Sequence, residues 1–490
     1  MRTIKSLIAI LMSVALFVAC NKSDSASLTL DKTSLYFSAW GDASQSVRYV
    51  PKNAVRVAIG SCSDGLSAVV YESSRTIEIS PVGVTPGNED NLTNDDLPKK
   101  GWVVVNALNE ENSAESYYIN VYIAQTESLD AEGEKKANCY VVTKPAVSYT
   151  FDATHRPDGE ALNTHKVKLL WQSNSEVVEN VNFADGKASF YVGSSESDAS
   201  RVEDTNAVIA AYNASGKIVW SWHLWITNEN PLLATDVYSN GKTFMRQNLG
   251  AFTNSNGALD VQKIHDSYGM YYQWGRKDPF PRPYSHDAAD GESEGLFSES
   301  VGVVSLQFEE TSSAVGTVEY AISSPLTYIT NAACLEEGAD GVGDWLAVAD
   351  NTMWSGEQKS LYDPCPNGWR VPTAEEMSVL FLSDNEDSKP LESLRGQYGW
   401  YLSDGNGENF FYPACGRYRY TDGRIENMNS SDKYPSQPQP WEGYYWTSTT
   451  ADGKAVSLYF DLTTTRTINK FQSFHSARKA NGFQVRCVKE

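Results

Sequence analysis

Short runs of alternating apolar and polar residues dominate the first quarter of the chain and most constrain how it can fold. Between residues 27 and 127, such runs are separated by turn-forming residues, as in SLTLDKTSLYFSA, VRVAIG, RTIEISP, GWVVVNAL and YYINVYIAQTE. Successive side chains of a β-strand point to opposite faces, so a period of two indicates strands with one buried face. Several such strands separated by turn signals predict an all-β sandwich.

A second β-rich region follows a charged segment that is poor in apolar residues, which we interpret as a linker at residues 128–137. Strands are predicted between residues 138 and 230, at CYVVTK, KVKLLWQS, KASFYVGS, NAVIAAYN and KIVWSWHLWI. Bulky residues occupy both faces of the last run, which indicates a strand buried on both sides in a second sandwich. An aromatic binding platform is the alternative interpretation of this run.

The first 20 residues, MRTIKSLIAILMSVALFVAC, combine a basic start with an apolar run too short to span a bilayer. This layout predicts a secretory signal. Its end, Phe-Val-Ala-Cys, resembles the bacterial lipobox, which implies that Cys20 is acylated and anchors the mature protein to a membrane. Residues 21–27 are mostly polar and are expected to form a tether. An ordinary signal that happens to adjoin a cysteine is the alternative.

Charge and cysteine spacing exclude several classes of partner and site. The 490-residue chain has a formal net charge of −22 at pH 7, so we expect no nucleic-acid partner and no electrostatic binding to anionic membranes. Apart from Cys20, six of the seven cysteines remain, at wide spacings without a C-x-x-C pair: Cys62, Cys139, Cys334, Cys365, Cys415 and Cys487. This pattern argues against zinc and is compatible with disulfides in an oxidising compartment, although spacing alone does not determine the pairing.

Beyond residue 230 the regular strands become fewer, and a series of longer motifs begins. In chain order these are MRQNLGA, YGMYYQWGRKDPFP, YDPCPNGWRVPTAEEM, FYPACGRYRYTDGRI, GYYWTSTT, AVSLYFD and NGFQVRCVKE. The series closely resembles the Fibrobacter succinogenes major paralogous domain, a branch of the C-type-lectin-like fold that is common in surface proteins of Bacteroidetes. The resemblance implies that residues 231–490 form an α+β domain of this kind.

The N-terminal runs carry a second resemblance. LTLDKTSLYFSAWGDASQSVRY and YYINVYIAQTE are similar to a BACON module, an immunoglobulin-like domain of Bacteroidetes surface proteins. The expected chain is therefore mainly β, with two immunoglobulin-like β-sandwich modules followed by an α+β C-type-lectin-like domain. The predicted boundaries are 1–20 for the lipoprotein signal, 21–27 for the tether, 28–127 for the BACON-like sandwich, 128–137 for the linker, 138–230 for the second sandwich and 231–490 for the lectin-like domain.

Cys365 lies between Pro364 and Pro366. In the family that the C-terminal motifs resemble, the cysteine of D-P-C-P usually faces the cysteine of the terminal V-R-C-V, which implies a Cys365–Cys487 disulfide. A stiff, proline-flanked turn with no histidine nearby in sequence also argues against a nucleophilic or redox role. The resemblance and the local sequence both indicate a structural cysteine.

Two further features of the C-terminal motifs concern local structure. Thr373 is followed three residues later by Glu376, which predicts a helix N-cap with a capping box. Cys415 stands where alanine is common in the family. It could pair with Cys334 or remain a buried free thiol.

Catalytic and metal-binding motifs are missing from the sequence. The chain contains no H-E-x-x-H, G-x-S-x-G, G-x-G-x-x-G or P-loop motif, and its six histidines do not occur at metal-ligand spacing. We expect a protein that is not an enzyme and that needs no metal and no cofactor. An enzyme similar to formylglycine-generating enzymes, which share the lectin-like fold, is the less favoured alternative because Cys365 and Cys487 look structural.

The order of the segments predicts where the protein acts. An anchor, two β modules and a lectin-like domain indicate a lipid-anchored outer-membrane protein, exposed at the cell surface, that acts as an adhesin or ligand-display protein. A narrower hypothesis is that the protein is a fimbrial tip, with other fimbrial subunits as partners. The expected ligand is a host or bacterial surface glycan or protein. A structural stalk that binds nothing is the main alternative.

The segment LTTTRTINKFQSFHSARKAN, residues 462–481, precedes the closing strand and lacks a clear period. In the fold that it resembles, this segment lies at the exposed ligand face. Hydrogen-bond donors, a cation and flat apolar faces suit recognition, so the candidate ligand-binding residues are Asn469, Lys470, Phe474, His475 and Arg478, with Tyr444 and Tyr445 framing the same surface. A solvated loop that improves solubility is the alternative.

Overall fold

The structure is a computed structural model that describes residues 25–83, 92–93, 97–130, 137–285, 291–299, 302–335, 342–354, 356, 358–382, 398–426, 442–461 and 471–490. The chain divides into two compact units, residues 1–124 and 125–490. The described residues are mainly β, which confirms the predicted fold class. Within these ranges, no helix is both long enough and apolar enough to cross a membrane.

The first unit is a sandwich of two four-stranded sheets. Its strands are β1 (Ser27–Leu30), β2 (Ser34–Phe37), β3 (Gln45–Lys52), β4 (Arg56–Cys62), β5 (Leu66–Tyr71), β6 (Thr76–Pro81), β7 (Lys99–Leu108) and β8 (Ala114–Ile123). The sheet orders are β1-β3-β6-β5 and β2-β8-β7-β4. Alternate residues such as Val103, Val105 and Ala107 on β7 are buried in the core that both sheets share. The predicted period of two is confirmed.

The second unit begins with another pair of sheets. Its first strands are β9 (Thr126–Ser128), β10 (Cys139–Val142), β11 (Val147–Asp152), β12 (Lys166–Gln172), β13 (Val178–Ala184), β14 (Lys187–Val192), β15 (Thr205–Tyr212) and β16 (Ile218–Ile226). One sheet has the order β13-β14-β11-β9. The other has the order β10-β16-β15-β12 and is extended by two later strands, β20 (Leu296–Phe297) and β21 (Val303–Val304).

The rest of the second unit consists of short elements joined by irregular segments. Up to the disulfide region these are β17 (Thr235–Val237), β18 (Thr243–Met245), α1 (Val261–Asp266), β19 (Tyr272–Gln273), β22 (Gln307–Glu310), α2 (Val318–Ser323), β23 (Thr327–Thr330) and a 3-10 turn at Ala332–Leu335. Then follow β24 (Trp369–Arg370), α3 (Ala374–Met377), β25 (Phe381–Leu382), β26 (Gly399–Ser403), β27 (Asn409–Pro413), β28 (Arg417–Tyr418), β29 (Ile425–Glu426), β30 (Glu442–Ala451), β31 (Lys454–Asp461), β32 (Phe471–Ala477), β33 (Gly482–Phe483) and β34 (Val488–Lys489).

These short strands form five small sheets. Their orders are β17-β18-β34-β24, β19-β33-β28-β29, β22-β23, β25-β26-β27 and β30-β31-β32. The last of them matters most for the candidate site, because β32 contains part of the segment that the sequence identifies as a recognition surface. Strand β28 of the β19-β33-β28-β29 sheet contacts it through Arg417, which lies over the Tyr444 ring of β30.

The predicted boundary at residue 230 does not separate two compact units. Strand β16 is buried on both faces, as predicted: Trp222 packs inside the sandwich, whereas Trp225 packs with Trp274 and Trp345 of the later region. A strand that is apolar on both faces needs cover on both sides, and the C-terminal elements supply the second cover. The predicted sandwich and lectin-like domain therefore share one core.

The structure contains the disulfide that the resemblance implies. The sulfur atoms of Cys365 and Cys487 are 2.06 Å apart and join positions separated by 122 residues. The bond reinforces a local pairing, because β24 follows Cys365, β34 follows Cys487 and the two strands are neighbours in one sheet. The region around the bond is thus held both by backbone hydrogen bonds and covalently.

Helix α3 begins at the predicted cap. The Thr373 side chain accepts a hydrogen bond from the Glu376 backbone N–H, and the Glu376 carboxylate accepts one from the Thr373 backbone N–H, so the capping box is confirmed. Arg370 adds two hydrogen bonds to the same carboxylate, of 2.8 and 2.6 Å. Glu376 therefore joins the helix to β24.

None of the four remaining described cysteines forms a disulfide with another described residue. Cys62 is exposed, whereas Cys139, Cys334 and Cys415 are buried. Of the two alternatives for Cys415, the structure shows the buried free thiol. Burial raises the pKa of the thiol, and the nearby Tyr445 hydroxyl and Arg486 guanidinium oppose this effect without reversing it, so the thiol remains protonated at neutral pH.

Candidate functional site

The predicted recognition segment is only in part a loop. Residues 471–477 form β32, which pairs antiparallel with β31. Asn469 and Lys470 lie outside the described residues. Phe474 is 62% exposed, whereas its neighbour His475 is half-buried. Consecutive residues of a strand point to opposite faces, so Phe474 faces solvent and His475 faces the protein.

Arg478 lies beyond the end of β32 and has its own contact. Its guanidinium carbon is 4.6 Å from the centre of the Tyr420 ring, a cation–π geometry. His475 instead contacts the rings of Tyr459 and Tyr444. The sequence interpretation expects Phe474, His475 and Arg478 to share one recognition surface. In the structure, Phe474 faces solvent, whereas His475 packs against Tyr459 and Arg478 packs against Tyr420.

The prediction that Tyr444 and Tyr445 frame an open surface is wrong. Tyr444 is 4% exposed and Tyr445 is fully buried. The Tyr445 ring packs edge-on against Tyr412, and its hydroxyl donates to the carbonyl of Pro413 at 2.6 Å. Both faces of β30 are covered, because Tyr445 enters one core cluster and Tyr444 another.

A row of rings crosses the inner face of the β30-β31-β32 sheet. The centres of the Tyr444 and Tyr459 rings are 5.0 Å apart, and those of Tyr459 and His475 are 4.8 Å apart. Glu442 accepts hydrogen bonds from both tyrosine hydroxyls, at 3.0 and 2.9 Å. The Arg417 guanidinium lies 5.2 Å from the Tyr444 ring centre at the end of the row. These contacts fix the position of β32.

The protonation states in this row are set by burial. Burial lowers the pKa of His475 to about 4, the nearby Arg417 guanidinium adds to the effect and Glu442 opposes it. Burial and then the Glu442 carboxylate raise the pKa of Tyr459. At neutral pH the imidazole is therefore uncharged and the phenol is protonated. The rings of the row are therefore uncharged at neutral pH, as their packing against one another requires, and they support β32 from behind.

Strand β28 separates this row from a pocket that the sequence interpretation missed. Arg417 faces the ring row, and the next residue, Tyr418, lines a pocket of about 320 Å³. Its walls come from the β20–β21 hairpin, the start of β22 and the β28–β29 turn, and they include Glu294, Leu296, Val304, Leu306, Phe308 and Tyr418. The run VVSLQF, residues 303–308, gave no sequence signal of the pocket, because the exposure of Val303 and Phe308 is visible only in the structure.

Among the described residues, no group of three or more His, Cys, Asp and Glu side chains is placed to hold a metal ion.

No protein-family model and no curated protein matches the chain. Solved structures with local likeness include the Bacteroides ovatus mixed-linkage glucan utilization locus protein SGBP-B in complex with a mixed-linkage heptasaccharide. That match has 11% identity and a TM-score of 0.12, and it covers 40% of this chain and 43% of that one.

Two other matches contain extracellular cadherin domains or immunoglobulin domains. Protocadherin gammaB7 EC3-6 has 9% identity and a TM-score of 0.16, with 41% of this chain and 51% of that chain covered. The Down syndrome cell adhesion molecule has 8% identity and a TM-score of 0.14, with 42% and 28% covered. This chain spans about half or less of all three structures. Likeness at these TM-scores carries no argument about function.

Proposed function

We propose that the protein is a cell-surface ligand-binding protein of the adhesin type and that the second unit, residues 125–490, carries recognition. The observation that carries this proposal is Phe474, an aromatic side chain that is 62% exposed on a strand held by the ring row behind it. Exposed aromatic residues on rigid supports are common centres of binding energy. The proposed ligand is a surface glycan or protein, and the proposed activity is binding without catalysis.

The proposed location rests on the N-terminal sequence, which lies outside the described residues. The Phe-Val-Ala-Cys junction supports acylation at Cys20 and attachment to the outer membrane. Cys20→Ser should block lipid attachment and release the protein from the membrane fraction. Unchanged processing and unchanged membrane association of this variant would contradict the anchor.

The two compact units suggest how to locate the binding activity. A cut at residue 230 would break the shared core, so residues 25–124 and 125–490 should be compared with the full chain, on a glycan array and on intact bacterial and epithelial cells. We expect the second unit to bind as the full chain does. Absence of binding by all three proteins would favour a structural stalk, for which the regular sandwich of the first unit is suited.

A single substitution tests the proposed surface. Phe474→Ala should weaken binding about tenfold, because an exposed aromatic contact is lost, while the melting temperature stays unchanged. Val348→Ala is the matched control, since Val348 is 84% exposed in another segment of the same unit. Full affinity in Phe474→Ala would move the site elsewhere. His475→Ala is less informative because it also removes a stacking partner of Tyr459.

A fimbrial tip is the narrower form of this proposal. It adds other fimbrial subunits as partners. Co-purification of the full chain with fibres sheared from the producing cells would support it, and recovery of the protein only in the membrane fraction would restrict the proposal to a surface adhesin.

A further inference from the structure

The pocket beside β28 lies apart from the exposed strand face, because none of its lining residues belongs to β32. Its volume of about 320 Å³ lies at the lower end of the range of about 300–1,000 Å³ for small-molecule sites. We infer that it binds a single neutral sugar ring, at a site independent of Phe474. Three features of the pocket carry this inference.

The first feature is a carboxylate with unused capacity. The Glu294 side chain lines the pocket and is 11% exposed. Its Oε2 atom accepts a hydrogen bond from Arg282 at 2.9 Å, but its Oε1 atom is buried and accepts none from the described residues. A buried acceptor without a donor is unfavourable. A ligand hydroxyl would supply this donor after a rotation of the Glu294 carboxylate that exposes Oε1 to the pocket.

The second feature is an apolar wall that remains open to solvent. Phe308 is 49% exposed, and Val303, which also lines the pocket, is 77% exposed. Phe308 is held from behind by Gly423, which has a φ of +69° and where a Cβ would overlap the phenyl ring. Flat apolar faces of this kind stack on the C–H face of a sugar ring. The wall and the carboxylate together match a ring with one apolar face and hydroxyl groups at its edge.

The third feature is the balance of charge, which selects an uncharged ligand. Arg282 already pairs with Glu294 and also contacts Asp266 at 3.2 Å. The Arg424 guanidinium packs against Gly291 on the pocket wall. A cationic ligand would compete with Arg282 for Glu294, whereas an anionic ligand would be repelled by the carboxylate. A neutral ring avoids both costs.

The test is saturation-transfer-difference NMR on the full chain. The neutral probes are D-glucose, D-galactose, D-mannose and N-acetyl-D-glucosamine, and the charged probes are D-glucosamine and D-glucuronate. We expect at least one neutral probe to bind and the charged probes to bind more weakly. Phe308→Ala should weaken binding about tenfold through loss of the stacking face. Ser305→Trp, at an exposed position on the pocket wall, should block entry.

Two controls separate this site from other effects. Gln307→Ala changes an exposed neighbour of Phe308 that does not line the pocket, and Phe474→Ala changes the proposed adhesive surface; both should leave the sugar signal intact. Full binding in Ser305→Trp, absence of any neutral signal or stronger binding of a charged probe would overturn the inference. If Phe308→Ala lowers the melting temperature, Ser305→Trp decides. Loss of cell adhesion in Phe474→Ala with an unchanged sugar signal would show that the two sites act separately.

Discussion

The two units bury different kinds of side chain. The core of the first unit consists of apolar residues such as Val47, Ile77 and Val105, and Ser63 is the polar residue that its described part buries. The second unit buries several cations within its core: Arg276, Lys277, Arg370, Lys479 and Arg486. Regular ladders satisfy the backbone in the first unit, whereas irregular segments leave carbonyl groups that need other donors.

Side chains supply those donors in the second unit. Lys359 donates to the carbonyls of Cys365 and Trp369 at 2.6 and 2.7 Å. Five buried tryptophans also donate their indole N–H to main-chain carbonyls: Trp225, Trp274, Trp345, Trp354 and Trp446. The aromatic and basic content of this region is therefore a means of stabilising irregular backbone, because a buried carbonyl without a donor is costly.

The largest expected effect comes from removing one buried cation. Arg486 donates to the Phe411 carbonyl at 3.0 Å and to Asn248 at 2.9 Å, and it stacks on Tyr412 at 3.8 Å. Arg486→Met should lower the free energy of unfolding of residues 125–490 by about 4 kcal/mol, because buried acceptors lose their donor. Urea unfolding measures this. Arg56→Met, at an exposed position in the first unit, is the control. An equal loss in the free energy of unfolding in that variant would contradict the proposed difference between the units.

Loss of the disulfide should have the next largest effect. Replacing Cys365 and Cys487 with alanine removes a cross-link between positions 122 residues apart, at a cost of about 3 kcal/mol. Unfolding should respond to reductant in the wild type and not in the double variant. Cys62→Ser should change nothing, since Cys62 is a free, exposed thiol. Free thiols at both positions in folded protein would contradict the prediction.

A smaller effect should appear at low pH through Glu376. Burial alone would raise the pKa of this carboxyl, but hydrogen bonds from Arg370, the Thr373 N–H and Lys242 lower it from 4.5 to about 2. The folded state thus favours the carboxylate, and the resulting stabilisation of about 2–3 kcal/mol is complete above pH 4.5 and is lost as the pH falls toward 2. Glu376→Gln should be less stable than wild type at pH 7, and the difference should shrink near pH 2. If the difference in the free energy of unfolding between the two proteins did not change with pH, the loss of stability would come from packing and not from the charge of Glu376.

The smallest effect is expected on the outer face of the first unit. Trp102 is 48% exposed on β7, so Trp102→Ala should change the free energy of unfolding by about 0.5 kcal/mol. Trp446→Ala in the second unit removes a buried ring and the donor to the Tyr272 carbonyl, and should cost several times as much in the same urea titration. Similar losses in the free energy of unfolding for the two tryptophan variants would contradict the proposed difference between the two units.

Local patterns in the sequence predicted local structure, but they did not predict contacts between segments that are distant in sequence. The alternation in β7 and the Thr373–Glu376 cap follow from spacings of two and three residues. Tyr444 and Tyr445 show the limit of prediction from sequence. Two adjacent tyrosines on a strand do not indicate whether either face of that strand is open, and here both faces are covered. The pocket was unpredictable for the same reason. Glu294, Phe308 and Tyr418 come from segments that are distant in sequence and meet only in the folded chain.

Strand β34 lies between β18 and β24, so segments that are far apart in sequence must meet before that sheet is complete. Arg486 likewise binds Asn248, 238 residues earlier in the chain. A nascent chain that leaves a ribosome or a translocation channel can pair β18 with β17 at once, but the other edge of β18 stays unpaired until β34 emerges. Contacts so distant in sequence slow folding and leave strand edges open to misassembly. We therefore expect this unit to fold after synthesis and to depend on holding chaperones during that interval.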